Sequence, residues 1–287
     1  MEQAAELRRL LDGPDMLVAP GAYDALGAML VEQAGFAACY MTGAGTSVSR
    51  GYPDFGLLTM SEMVDNAARM AESIGIPLIA DADTGYGNEL NVTRTVREYE
   101  ARGIAGLHIE DQVSPKRCGH LAGKEVVPAG EFVSKIRAAA EARRGDLVLI
   151  ARTDARQMLG FDEAIARANA ALAAGADVAF VEATQTEEEA AAVPKLVDGP
   201  CLLNVVGGGR TPVMDLRVAA DMGYRVAILP TLLMNVTVAA ADAALAAVRA
   251  TSTMDPDQPS PADVFRRVGA DEWDALRARF GAGAAMT

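Results

Sequence analysis

Four carboxylates stand in two short runs, Asp81 and Asp83 in DADTG and Glu110 and Asp111 in HIEDQ, and a thiol follows them in KRCGH, residues 116–120. Each acidic run closes an apolar stretch of strand length, LIADAD and GLHIED. Two residues apart on a strand, Asp81 and Asp83 share one face. Clustered acids repel and raise one another's pKa. A hard divalent cation offsets that, and oxygen ligands with few imidazoles nearby suit Mg2+ or Mn2+. The competing reading makes the same acids ion-pair partners of Arg152 or Lys116. Zinc is disfavoured, because Cys118 and His120 are two apart and no second Cys/His pair stands at ligand spacing.

Mg2+ held by few protein oxygens keeps waters and binds substrate oxygens directly. A 2-hydroxy or 2-keto carboxylate would chelate it, and the metal would stabilise the enolate formed when a bond to the neighbouring carbon breaks. Arg152 and the backbone amides of TGAG, residues 42–45, could hold carboxylate oxygens. Cys118 then has three readings. It is a nucleophile with His120 as base, or an acid that trades a proton with carbon, or a buried and inert residue. Lys116, Arg117 and His120 would lower its pKa for the second role. Its polar flank, SPKRCGHLAGKEVVP, argues against the third.

The elements that must position these groups recur along the chain. Apolar runs of strand length occupy residues 16–21, 38–43, 78–83, 106–111, 147–153, 178–183, 201–206 and 226–231. Segments with helical apolar spacing lie between them, among them 61–75, 89–103, 130–145 and 161–175, each closing on a glycine stop signal. Continuous apolar strands alternating with helices predict a covered parallel sheet. Eight such units predict an α/β (β/α)8 TIM-type barrel. An open doubly wound sheet is disfavoured, because no glycine-rich phosphate loop follows the first strand. In a barrel the catalytic groups sit at the C-terminal strand ends. Thr42, Asp81, Asp83, Glu110, Asp111, Arg152, Asp154, Glu182 and Asn204 all fall there.

The whole chain fits an enzyme on a small acid. Its 287 residues are 51% hydrophobic and 23% charged, enough for a sizeable core. A formal net charge of -13 disfavours nucleic acid and anionic membranes as partners. Cys39, Cys118 and Cys201 make no disulfide framework, which suits a reducing cytoplasm. The N-terminus shows no apolar signal core. The apolar stretch 229–248 is interrupted by Asn235 and Asp242 and predicts a buried helix rather than a membrane span.

Six motifs in one order carry a family resemblance: YMTGAGTS (40–47), GYPDFG (51–56), DADTGYG (81–87), HIEDQ (108–112), PKRCGH (115–120) and IARTDA (150–155). Over about residues 14–250 the chain resembles the isocitrate lyase and phosphoenolpyruvate mutase superfamily. KRCGH is similar to the signature of its lyase branch, which includes methylisocitrate and dimethylmalate lyases. The resemblance implies a Mg2+-dependent (β/α)8 barrel, a dimer or tetramer, whose C-terminal helix is exchanged between subunits. It implies cleavage of a 2-hydroxydicarboxylate, of substituted malate or methylisocitrate type, to a 2-keto acid and a carboxylate. Mutase or oxaloacetate decarboxylase chemistry on the same scaffold is the alternative. By the same match Cys118 is the proton donor on a closing loop supported by His120. Asp81, Asp83 and Glu110 hold Mg2+ directly or through water, with Asp54 near the metal shell. Tyr40, Thr42, Gly43, Ala44, Gly119, His120, Arg152, Glu182 and Asn204 bind substrate, and Tyr40 is a candidate base.

One segment departs from the family. Where methylisocitrate lyases carry NITEFG after the seventh strand, this chain has NVVGGGRTP, residues 204–212. Asn204 is kept and Gly207 stands near the glutamate, so a smaller substituted malate or oxaloacetate fits at least as well as a tricarboxylate. The barrel domain is expected over residues 1–250 and a linker with an oligomerisation helix over 251–287. The linker, 252–265, is rich in Pro, Asp and Ser. Beyond it Phe265, Val268, Trp273, Leu276 and Phe280 form an apolar helical spacing.

Overall fold

The computed structural model describes residues 2–119, 121, 123–209, 211 and 214–281. In chain order the elements are α1 (Glu2–Asp12), β1 (Leu17–Ala22), α2 (Ala25–Gln33), β2 (Cys39–Met41), α3 (Gly43–Ser49), α4 (Met60–Ser73), β3 (Leu78–Asp81), α5 (Glu89–Ala101), β4 (Gly106–Glu110) and α6 (Ala129–Ala142). They continue as β5 (Val148–Thr153), α7 (Ala155–Leu159), α8 (Phe161–Ala173), β6 (Val178–Val181), α9 (Glu187–Leu196), β7 (Cys201–Asn204), α10 (Leu216–Met222) and β8 (Val226–Leu229). The chain ends in α11 (Leu232–Thr251), α12 (Pro261–Arg267) and α13 (Ala270–Phe280).

The eight strands pair in parallel, each with the next, and β1 pairs β8 to close the barrel. Alternation along the strands separates two apolar layers. Residues such as Leu17, Tyr40, Ile79, Val148, Ile150, Phe180, Leu202 and Ile228 pack together inside the barrel. Their neighbours, such as Leu78, Ala80, Leu107, Ile109, Leu149 and Ala151, face the helices instead. Helix α1 closes the N-terminal end, where Leu7 packs with the interior cluster. A Cβ on Gly106 would stand 2.9 Å from the Leu7 side chain, so glycine there makes room for the plug.

Local signals set the helix starts. Thr59 and Glu62 form a reciprocal capping box on α4, and Asn88 caps α5. Of the four expected glycine stops, Gly103 and Gly175 take positive φ just beyond α5 and α8. Helix α4 ends at Ser73 and α6 at Ala142, before Gly75 and Gly145 are reached.

By contacts the chain divides into two compact units, residues 1–234 and 235–287. Most of α11 therefore belongs to the C-terminal unit. The helix expected to be buried is not: no residue of α11 is buried, and Val236, Val238 and Leu245 are all more than half exposed. Among the described residues it is the one helix long and apolar enough to cross a membrane, by length and composition alone.

Candidate active site

The inward parity of the strands that places Ile79, His108, Ile150, Phe180 and Leu202 in the interior places the next inward residue of each at its C-terminal end. These are Asp81, Glu110, Arg152, Glu182 and Asn204. All five are buried. Arg152 ties them together, with Nη1 3.2 Å from Glu110 Oε2, Nη2 3.7 Å from Glu182 Oε2 and Nε 2.9 Å from Asp154 Oδ2. Asn204 Nδ2 donates to Glu182 Oε2 at 3.0 Å.

Asp83 reaches the cluster by a different route from the one its spacing predicts. Strand β3 ends at Asp81, and Asp83 lies in the turn beyond with φ of 46°. Its amide donates to Asp81 Oδ1 at 2.9 Å, so a turn, not a shared strand face, brings the two acids together. The left-handed region tolerates Asp better than most residues. Tyr99 Oη supports this turn by donating to the Asp81 carbonyl at 3.1 Å.

Asp111 leaves the cluster. Its carboxylate accepts from Arg167 Nη1 at 3.0 Å, Thr153 Oγ1 at 2.7 Å and the Asp154 amide at 2.8 Å. The outward parity that follows Glu110 turns it toward α8, where it braces strand ends.

Part of the ion-pair alternative also holds. Lys116 is buried, with Nζ 2.6 Å from Asp54 Oδ1 and 3.0 Å from Asp83 Oδ1. Burial pushes the Asp83 carboxyl up to about 6, against the pull of Lys116. Burial also raises Glu110 well above its ordinary range, with Arg152 opposing. Neither oxygen of Glu110 receives a directed hydrogen bond among the described residues. A buried carboxyl without a directed hydrogen bond among the described residues, beside Asp81 and Asp83, is an arrangement that a hard cation would complete. Among the described residues no three acids, imidazoles or thiols converge into a ready cage. Mg2+ that keeps waters and substrate oxygens in its shell needs none.

His108 is a residue that motif reasoning on the acids passes over. It is fully buried inside the barrel, its Nε2 2.8 Å from Tyr40 Oη and 3.6 Å from Asp81 Oδ1. Burial lowers its pKa to about 4, so the ring is neutral. Its inward parity on β4 was readable from the sequence two residues before Glu110.

Residues 116–119 fold over this layer. Cys118 N donates to the Asp54 carbonyl at 3.1 Å, and Arg117 stacks its guanidinium 5.1 Å from the Phe55 ring centre. Gln112 holds Arg117 from both sides, accepting from its amide at 3.0 Å and donating to its carbonyl at 2.8 Å. Gly119 lies so close to the floor that an added Cβ would stand 2.3 Å from Arg152 Nη2 and 2.8 Å from Glu182 Cγ. His120 and Arg210 lie outside the described residues. Cys39 and Cys201 are buried, and burial pushes both thiols up to about 12.

Together these parts enclose a cavity of about 140 Å³ lined by Tyr40, Thr42, Ala44, Asp54, Asp81, Cys118, Gly119, Arg152, Glu182 and Asn204. Phe180, Val206, Ile228 and Pro230 give it an apolar wall. Gly43 sits just behind, its position for a Cβ 2.3 Å from Asp81 Oδ2. Of the glycine run, Gly208 and Gly209 reach the cavity, while a Cβ on Gly207 would meet open space. The site thus offers a thiol, an arginine, carboxylates and an apolar wall to one small molecule.

Known proteins share this arrangement of chain. The 2,3-dimethylmalate lyase of Eubacterium barkeri is 49% identical over 233 residues, 80% of this chain and 81% of the relative. The solved structure of an oxaloacetate acetylhydrolase with 3,3-difluorooxalacetate superposes with a TM-score of 0.94 at 41% identity, over 99% of this chain and 98% of that one. A phosphonopyruvate hydrolase solved with oxalate and Mg2+ superposes with a TM-score of 0.88 at 33% identity, over 98% and 99%. The family model described as phosphoenolpyruvate phosphomutase matches residues 7–249, nearly the whole barrel and its site. With the closed eight-stranded barrel, the acidic strand ends and residues 116–119 over them, the chain belongs to the phosphoenolpyruvate mutase and isocitrate lyase superfamily.

Proposed function

We propose that this chain is a Mg2+-dependent carbon–carbon lyase acting on a compact 2-hydroxydicarboxylate. The observation that carries this is the presence of Cys118 in the same cavity as Arg152, Glu182 and Asn204. Lyases of the superfamily depend on Mg2+ in general. When bound, Mg2+ supplies positive charge beside the oxygens of the 2-keto acid fragment. Asp81, Asp83 and Glu110 would hold it, with Asp54 at the margin.

The residues of the chain do the rest. Arg152, with Thr42, Gly43 and Ala44, binds substrate carboxylate, because a guanidinium grips two oxygens at once. Glu182 and Asn204 fix the pocket side of Arg152. A base of the site takes the proton of the substrate hydroxyl, the C2–C3 bond breaks with its electron pair going to C3, and C2 becomes the keto carbon. The departing fragment keeps the electron pair, and the Cys118 thiol protonates it. Tyr40 orients a substrate oxygen rather than serving as base, since burial raises its phenol well above the ordinary value and keeps it protonated. Gly119 lets the loop approach, and His120 is assigned to its support. The small cavity with its apolar wall favours an alkyl-substituted malate over a tricarboxylate.

Oxaloacetate is the second candidate substrate, favoured by the superposition on oxaloacetate acetylhydrolase. The test is a panel of malate, methylmalate, dimethylmalate, isocitrate, methylisocitrate and oxaloacetate with Mg2+, read by coupled reduction of the keto acid. Keto acid from a substituted malate supports the lyase. CO2 from oxaloacetate, with no keto acid from any of the hydroxy acids, would replace it with decarboxylase chemistry.

We also assign the chain to a cytoplasmic homo-oligomer, a dimer or tetramer. The exposed apolar residues Phe265, Val268, Trp273, Leu276 and Phe280 of the C-terminal unit would dock on a neighbouring subunit.

A further inference from the structure

Lys124 lies five residues beyond Gly119, outside the KRCGH signature, yet its side chain has no exposure to solvent. A buried ammonium is costly unless it is paired and fully hydrogen-bonded. Lys124 Nζ meets both conditions. It donates to the Gly119 carbonyl at 2.5 Å and to Asp154 Oδ1 at 2.6 Å. Asp154 is itself buried and accepts from Arg152 through Nε at 2.9 Å and Nη2 at 3.3 Å. One ammonium therefore joins the backbone of the Cys118–Gly119 turn to the carboxylate that orients Arg152.

The other ties of this segment are of a different kind. The Gln112 amide holds Arg117, Lys116 faces the acids, and the Cys118 amide reaches Asp54. Only the Lys124 tie, among these, runs to the arginine side of the cavity. A lysine suits it because a compact ammonium has three donors and can bridge a carbonyl and a carboxylate at once.

We propose that Lys124 is a positioning residue that latches the Cys118–Gly119 turn over the cavity by bridging the Gly119 carbonyl to the Asp154–Arg152 pair. This rests on the assignment of Cys118 as proton donor. With the latch made, the thiol is held beside the substrate anchored on Arg152. With it broken, the turn opens and Cys118 meets solvent.

The test is Lys124→Met in the full chain. The two readouts are the rate of Cys118 alkylation by iodoacetamide and the rate of tryptic cleavage after Arg117, each with and without oxalate and Mg2+. The latch predicts that both rates rise about tenfold in the variant and that oxalate no longer suppresses them, because local opening controls both. It also predicts a fall in kcat larger than any rise in KM. Wild-type alkylation and cleavage rates in a folded Lys124→Met chain would overturn the latch. If that variant does not fold, Lys124→Gln carries the same readouts, and loss of folding in both would make Lys124 a purely structural residue and overturn the proposal. Neither readout needs turnover. If the latch readouts behave as expected while Cys118→Ser keeps full activity, the function assignment fails and the latch stands.

Discussion

Glu110 carries two buried oxygens that receive no directed hydrogen bond among the described residues, and burial pushes Asp83 beside it up to about 6. Both acids must shed a proton to bind a cation. Burial raises Asp83, Lys116 opposes, and Asp81 and Asp54 add to the rise. A raised acid is protonated below its folded pKa, so the share of cation affinity that Asp83 supplies is lost as pH falls through about 6. The apparent Kd for Mg2+ should then rise about tenfold per pH unit below 6 through Asp83, with Glu110 adding to the rise. Calorimetric titration from pH 5 to 8 checks this, and a flat profile would remove Asp83 from the metal shell. Cys118→Ser should lower turnover by about a hundredfold or more, the usual worth of a positioned acid, while oxalate binding is kept. At this scale the sequence was informative where parity rules. Asp81, Glu110, Arg152, Glu182 and Asn204 follow from alternate inward positions. Asp83 and Asp111 did not follow, because Asp83 lies past its strand in a left-handed turn and Asp111 is the outward neighbour of Glu110.

The elements explain what the side chains alone do not. Asp111 at the end of β4 accepts from Arg167 of α8, which also donates to the Val127 carbonyl at 2.8 Å. This pair pins a helix to the end of the strand bearing Glu110. Arg167→Met leaves Asp111 buried without its cation, and should cost about 3–5 kcal/mol in urea unfolding. A loss below about 1 kcal/mol, the range of an exposed ion pair, would mean that the pair does not brace the barrel. Element type was legible because buried parallel strands are continuous apolar runs and the helices carry their own caps. Helix ends were less so. Gly75 and Gly145 were read as stops, but α4 and α6 finish earlier, and their terminal residues Ile74 and Arg143 are already extended.

At the scale of the molecule, α11 is the feature the sequence misplaced. Its apolar composition predicts burial, and none of its residues is buried within one chain. An exposed apolar helix of this length is a candidate interaction surface. If Phe265, Val268, Trp273, Leu276 and Phe280 dock on a neighbouring subunit as proposed, a chain ending at Ser252, which keeps α11, should sediment as a smaller oligomer than the full chain. An intact oligomer from the truncated chain would contradict docking by the C-terminal residues.

The central claim, that Cys118 protonates carbon after cleavage of a hydroxydicarboxylate, is tested most directly by running the reaction in D2O with Mg2+ and 2,3-dimethylmalate. The account predicts equimolar keto acid and carboxylate, with one solvent deuterium on the carbon that left C2, formed about a hundredfold or more slower by Cys118→Ser. A carboxylate formed at the wild-type rate by Cys118→Ser, or no keto acid from the wild-type chain, would contradict it.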